Sequence, residues 1–288
     1  ALALRAPCSF KLEHVRLRLD ISYDGTDFSG WGTQPRLRTV QGSIEQALMT
    51  LLRVTEPVRL VVAGRTDAGV HASGQVAHVD IDEPGDLAKF HKRLSSILKQ
   101  DADIRIRRVS EAPAGFDARF SPIARRYEYV LVDDATLLDP LDRHRVVVHT
   151  KPLDVEAMTA ATQTLLGLRD FASFCRPREG STTIRELQEF TWERLPNGYI
   201  VARLKADAFC HSMVRALVGA CVAVGQARIG VDELERIRDA HERTSAVKVM
   251  PPHGLNLVEV VYPPESELAA RAEQTRARRD LAGIQPME

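Results

Sequence analysis

The sequence predicts an α+β fold: two β-α-β-β-α-β units lying side by side and sharing a mostly antiparallel mixed sheet. Three observations carry this expectation. Residues 15–23 alternate strictly between apolar and polar, the period of a half-buried strand. Ile44, Leu48, Leu51 and Leu52 recur at helical spacing, and so do Leu87, Phe90, Leu94 and Ile97. The second half of the chain then repeats the element order of the first.

Each element has its own signal. Ser43 and Gln46 offer a capping box for the first helix. Arg59 to Ala63 is a short strand, Gln75 to Ile81 a second, and Ile104 to Val109 a third after the helix of residues 87–98. In the second half, Ala124 to Val132 is a strand with Tyr127, Tyr129 and Leu131 on one face. Val155, Met158, Ala161, Leu165 and Leu166 mark a helix. Strands at 183–194 and 199–205 flank Pro196-Asn197-Gly198, whose Asn-Gly pair signals a hairpin. Phe209 to Gly225 is an apolar helix, Asp232 to Glu242 an added one, and Leu255 to Tyr262 the closing strand. Each half spells the split β-α-β unit of ferredoxin-like folds. The expected division is a loose tail at 1–14, an N-terminal half at 15–118, a C-terminal half at 119–264 and a tail at 265–288. Glu265 to Leu281 has a charged helical look, so this last tail is expected to fray or to form a peripheral cover.

Composition narrows the class. Of 288 residues, 44% are hydrophobic and 27% charged, near the globular norm. No run approaches the roughly 20 apolar residues that span a bilayer; the longest, Met213 to Val224, is broken by Arg215. The first eight residues do not form a secretory h-region. Cys8, Cys175, Cys210 and Cys221 show no CxxC spacing, which argues against a disulfide framework or zinc ribbon and fits a reducing cytoplasm. The 39 Lys and Arg balance 39 Asp and Glu, so a globally basic nucleic-acid binder is excluded, but a local patch is not. Basic residues cluster at 105–108, 119–126 and 143–145, and acid gathers at Asp80 to Asp86. Each cluster reads either as a phosphate-contact patch or as a solvated mixed surface.

Four segments have unusual chemistry. Gly64 to Gly74 joins two strands and carries Asp67 between Arg65 and His71, with three glycines that let a ligand approach the backbone. Asp67 reads as a nucleophile or base, or as an aspartate hydrogen-bonding its own turn. A phosphate cradle is a weaker reading, because no helix opens after the glycines. Arg215 is the one charge within an apolar helix; it either pairs with a buried anion, Asp67 being an attractive partner, or snorkels to the surface. Tyr127 follows Arg125 and Arg126, which suits base stacking beside a phosphate, or packing on a strand face. Tyr23 to Trp31 is a polar loop whose tryptophan looks exposed: a ligand loop, or a turn-rich connection. His71 with His78, and Cys210 with His211, lack the further ligands a metal site needs, so no metal is expected.

These segments together resemble the tRNA pseudouridine synthase A family, in order, over residues 15–262. The resemblance lies in Gly64 to Ala72, Phe28 to Trp31 with Thr39 to Gly42, Arg126 to Tyr129, Ala208 to Arg215, and Pro252 to Leu255. Gly32, Asp207 and Cys210 depart from the family, which usually has glutamine, often asparagine and commonly a larger apolar residue there. The resemblance implies the pseudouridine synthase fold and conversion of uridine to pseudouridine at positions 38 to 40 of the tRNA anticodon arm. It makes Asp67 the catalytic carboxylate, Arg215 the residue that holds and orients it, and Tyr127 the stacking residue that also helps remove the C5 proton. Arg65 would fill the space of the flipped nucleotide. Arg125, Arg126 and His71 join the substrate-binding set, with the arginines at 105–108 and 119–126 near the junction of the halves. It further implies no cofactor, a homodimer sharing one tRNA, and no membrane association. Two rivals differ in class. A non-catalytic RNA-recognition module needs a Lys/Arg-Gly-Phe/Tyr-type strand sequence, which is not found. A phosphate-metabolite enzyme needs a helix after the glycine loop.

Overall fold

The computed structural model describes residues 14–177, 182–244 and 246–276. Its strands are β1 (His14–Tyr23), β2 (Val61–Val62), β3 (His71–Asp82), β4 (Ile104–Glu111), β5 (Ala124–Val132), β6 (Val147–Val148), β7 (Gly167–Asp170), β8 (Ile184–Arg194), β9 (Ile200–Ala206) and β10 (Leu255–Val261). Its α-helices are α1 (Val40–Leu52), α2 (Leu87–Ile97), α3 (Val155–Gln163), α4 (Met213–Gly225), α5 (Val231–Asp239) and α6 (Leu268–Arg276). One sheet runs β4-β1-β3-β10-β5-β9-β8-β7, with β2 pairing on β3 and β6 on β5. Taken separately, β4-β1-β3-β2 and β10-β5-β9-β8 show the same order, so the element repeat read from the sequence is a repeat of topology.

The halves meet where β10 pairs with β3, in parallel, with Asn256 opposite His71 and Leu257 opposite Ala72. Along the path from β4 to β7 the other pairings are antiparallel, and β6 alone also pairs in parallel, on β5. Close approach continues at Gly74, where an added Cβ would lie 2.1 Å from the Val258 carbonyl oxygen. Only glycine fits there.

Strand alternation separates two faces. On β5, Tyr127, Tyr129 and Leu131 are buried. Arg126 and Glu128 point the other way, into a lattice of exposed ion pairs: Arg126 with Glu189 and Glu259, Arg203 with Glu128 and Glu193, and Lys205 with Glu189. Such pairs are individually weak, about 0–1 kcal/mol each. Their main effect is to satisfy charge across β10, β5, β9 and β8.

The helices follow their signals with two adjustments. The cap of α1 is Thr39, whose hydroxyl accepts from the Gly42 amide at 3.2 Å, not the expected Ser43 box. The helix therefore begins at Val40, and Ser43 already lies in its first turn. Asp86 and Asp154 cap α2 and α3 in the same manner, at 2.9 Å each. Helix α4 starts at Met213, later than the apolar run suggested, because residues 209–212 form a turn closed by Ser212 in the left-handed region (φ 65°). Apart from Arg215, every α4 residue is buried. Strands β6 and β7 escaped the sequence reading; two and four residues are too short for a period to show. In the C-terminal tail, Leu268 and Ala272 of α6 are buried, and Gly115 lies so close that a Cβ there would be 2.6 Å from Ala269 Cβ. The described part of the tail thus packs on the body; residues 277–288, like the N-terminal tail before His14, lie outside the described residues. No helix among the described residues is long and apolar enough to cross a membrane.

His78 shows what burial costs a titratable group. It lies inside β3 with Nδ1 accepting from the Ala118 amide at 2.9 Å, edge-on to Phe116. Burial, reinforced by Arg16, pushes its pKa below the ordinary 6.5. Below that pH the unfolded chain takes up a proton that the folded chain resists, so stability present at neutral pH is lost on acidification. Half-buried His149 and His253 act in the same direction. We expect the unfolding free energy to fall between pH 7 and 5.5. His78→Gln, which retains an acceptor for Ala118, should flatten the slope by up to about 1.4 kcal/mol per pH unit. Chemical denaturation at several pH values checks this, and an unchanged slope would rule His78 out as a contributor.

Candidate active site

Asp67 lies in the loop between β2 and β3, beside the seam. The loop keeps its shape through neighbours rather than through its own turn alone. Thr66 gives its carbonyl to the Trp31 amide at 3.1 Å and its hydroxyl to Tyr23 at 2.7 Å. The Gly69 amide donates to the Phe28 carbonyl at 3.3 Å, and Gly64 accepts from the Gln75 amide at 2.9 Å. Residues 23–31 therefore cradle the aspartate loop. Trp31, expected to be exposed, is 0% exposed and packs near Tyr23 with ring centroids 5.9 Å apart. Polar residues around it hid that burial in the sequence. Gly25 and Gly30 make the cradle possible. A Cβ on Gly25 would lie 2.0 Å from the Val70 carbonyl oxygen, and Gly30 adopts φ +91° against the Thr66 carbonyl and Ala68 amide.

Arg215 reaches Asp67 from α4. Its Nη2 donates to Oδ2 at 2.9 Å, and its Nη1 donates to the Met250 carbonyl at 3.3 Å. The half-buried cation of the apolar helix thus meets the anionic partner that its apolar setting calls for. A second side chain approaches the other oxygen: His211 Nε2 lies 3.3 Å from Oδ1. Sequence reasoning treated His211 only as a failed metal ligand. Its place in a turn gave no periodic signal, although it lies four residues before Arg215.

Segment 248–254 ties these parts together. Its Lys248 carbonyl crosses α4 at Gly219, where a Cβ would be 1.9 Å away. The Met250 amide donates to the Arg215 carbonyl at 3.1 Å. The Pro251 carbonyl accepts from the Tyr129 hydroxyl at 2.9 Å, Pro252 packs on Gly69, and the His253 carbonyl meets His71 Nε2 at 3.0 Å. The strap then becomes β10. It contacts both the helix that carries Arg215 and the loop that carries Asp67.

The other residues singled out from sequence fall in three places. Tyr127 faces the site side of β5, edge-to-face with Phe209 at 5.1 Å and 84°. Burial pushes its phenol up to about 12, and the nearby Asp67 charge adds to the rise while Arg125 opposes it. The ring is therefore a neutral phenol at physiological pH. Arg65 is exposed and lies along Gly32, where a Cβ would sit 3.6 Å from its Nε. Three of the expected substrate ligands have protein partners in this structure. Arg125 spends its guanidinium on the carbonyls of Asp207 at 2.6 Å and Ala63 at 2.8 Å, and burial lowers its pKa. Arg126 faces the opposite side of the sheet, paired at 2.7 Å with Glu189 and at 3.0 Å with Glu259. His71 is buried, with Nδ1 accepting from the Gly25 amide at 3.0 Å and Nε2 shared between the His144 and His253 carbonyls. It joins three loops. The arginines at 105–108 also lie away from the seam, on edge strand β4 with β1 between them and β3.

The departures have local explanations. Asp207 is buried, and its Oδ1 accepts from the Glu186 amide at 2.9 Å and the Ala208 amide at 2.7 Å; an asparagine oxygen offers the same acceptor. Cys210 forms a disulfide with Cys175, Cα atoms 5.7 Å apart. The two lie 35 residues apart in sequence, and the meeting of two loops brings them together.

A carboxylate held by a guanidinium beside a neutral aromatic ring is a site for covalent or acid–base work on a planar ligand. Comparison with known proteins agrees in kind. The profile of the tRNA pseudouridine synthase family matches residues 161–263. A tRNA pseudouridine synthase A of Leifsonia xyli subsp. xyli is 53% identical over 283 residues, covering 93% of this chain and 98% of that protein. One of Frankia casuarinae is 54% identical over 265 residues, covering 92% and 96%, and one of Mycobacterium leprae is 47% identical over 281 residues, covering 92% and 95%. The chain belongs to the tRNA pseudouridine synthase A family.

The cradle can be tested without any assay of chemistry. Gly25→Ala drives a methyl into the Val70 carbonyl and is expected to destabilise the protein by about 1–3 kcal/mol, the usual cost of overpacking. The urea midpoint reads this. A midpoint equal to that of the unaltered protein would mean that the two loops do not meet as described.

Proposed function

We propose that this protein isomerises uridine to pseudouridine at positions 38 to 40 of the tRNA anticodon stem-loop, with Asp67 as the catalytic nucleophile. The carrying observation is the Asp67 carboxylate, oriented by Arg215 at 2.9 Å, in a loop whose shape is fixed from outside by residues 23–31. Family membership and the tRNA named for the relatives supply the substrate class.

The chemistry asks for few parts. The N1–C1′ bond breaks, the uracil turns, C5 bonds to C1′, and the C5 proton leaves while N1 gains one. Atoms balance within the nucleoside, so the reaction calls for no cofactor. A carboxylate serves such a sequence by adding to sugar or base, or by taking a proton from the sugar. Arg215 fixes one oxygen and balances the charge. Tyr127 offers a ring face for the flipped uracil, and its raised pKa favours stacking and O–H donation over service as a phenolate base. Exposed Arg65, next but one to Asp67, suits the space that the flipped base vacates. We place the protein in the cytoplasm as a homodimer, one tRNA touching both subunits, on the family resemblance.

The decisive assay is tritium release from tRNA labelled at uridine C5. Asp67→Asn keeps the size of the side chain and removes the charge. It should abolish release while leaving tRNA affinity largely intact. Activity retained within roughly tenfold, about 1.4 kcal/mol of barrier, would sink the assignment.

A further inference from the structure

We infer that His211 is a positioning residue for the Asp67 carboxylate, holding Oδ1 while Arg215 holds Oδ2. The inference rests on the reading of Asp67 as the reacting carboxylate. Arg215 alone cannot fix that group. Only Nη2 reaches it, at 2.9 Å, because Nη1 is engaged by the Met250 carbonyl. A single-point contact leaves rotation about the Cβ–Cγ bond, whereas a two-bond fork would remove it. His211 Nε2, 3.3 Å from Oδ1, is the second point. An Nε2–H is present both in the imidazolium and in one neutral tautomer, and a carboxylate oxygen engaged by one donor keeps a lone pair for reaction. The contact is within ion-pair reach but does not have hydrogen-bond geometry in this structure. Catalytic contacts of this kind commonly shorten once substrate covers them.

The surroundings suit such a role. The His211 side chain is 43% exposed and that of Arg215 16%, so the imidazole lies on the open side of the carboxylate and the guanidinium behind it. The backbone of His211 is anchored independently of Asp67. Its carbonyl accepts from the Arg176 amide at 2.9 Å, and its neighbour Cys210 is joined to Cys175. Ser212 follows in the left-handed region, φ 65°, uncommon for a residue with a side chain. Strained backbone of this sort persists where neighbouring contacts over-determine it. Here it turns the chain so that His211 and Arg215 approach one carboxylate from a single turn and the first turn of α4.

The test is single-turnover pseudouridine formation on a tRNA transcript, with the transcript's Kd measured in parallel. His211→Ala should slow the chemical step by roughly tenfold, the scale of one hydrogen bond to a charged group, and leave Kd within about twofold. His211→Gln carries an amide N–H that can stand near the Nε2 position, and it should recover most of the rate. His211→Phe, a ring without a donor, should behave as the alanine variant does and serves if alanine fails to fold. Donorless variants that run at the unaltered rate would overturn the proposal. So would a glutamine variant as slow as alanine, since the donor would not then be what matters, or a loss confined to Kd. Failure of the underlying reading is separately visible: an active Asp67→Asn protein removes the role of Asp67 whatever His211 does.

Discussion

The site depends on one contact, the 2.9 Å bond between Asp67 and Arg215, whose partners lie 148 residues apart in the sequence. One comes from a loop of the first β-α-β-β-α-β unit and the other from the buried helix of the second. Neither placement is free. A guanidinium in an apolar helix is costly without an anion, and a carboxylate at a glycine loop wanders without a fixed cation. The contact satisfies both, but only if the two units are locked in register.

Three features impose that register. The parallel pairing of β10 with β3 places His71, the first residue after the aspartate loop, opposite Asn256. The strap at 248–254 leaves α4 at Gly219, engages Arg215, touches Gly69 and His71, and enters β10. Residues 23–31 hold the loop from the other side, with Trp31 buried beneath it. Glycines 25, 74 and 219 stand where backbone meets backbone too closely for a Cβ. Gly74, one of the three glycines that read as ligand access in the sequence, is therefore close packing at the seam.

Charge is organised by the same alternation. The chain is neutral, with 39 basic and 39 acidic residues, and the face of β5 that carries Arg126 satisfies its charges internally. Arg125 lies on the Tyr127 face but is drawn into backbone carbonyls. Exposed Arg65, two residues before Asp67, projects to solvent. Substrate affinity on this view depends on local arginines and on shape more than on overall charge.

The core of this arrangement was legible. Period-2 strands and spaced leucines yielded both units, and a lone arginine in an apolar helix announced a buried anion. Asp67 stood out through its neighbours in the sequence. What was lost lay where period fails. Trp31 sits in a loop, where polar neighbours say nothing about burial. His211 sits in a turn, and the Cys175–Cys210 pair joins two loops. Arg126 is different: strand parity alone puts it on the face opposite Tyr127, so its placement was present in the sequence and overlooked. The cap at Thr39 rather than Ser43 shows the ordinary slack in locating a helix end.

The central claim is that Asp67 and Arg215 act as one unit across the seam. A double-mutant cycle on single-turnover pseudouridine formation, with the milder Asp67→Glu, Arg215→Lys and the double variant, tests it most directly. A coupled pair predicts that the double variant is scarcely slower than the worse single one, as for groups that function together. Losses that simply add in the double variant would contradict the account.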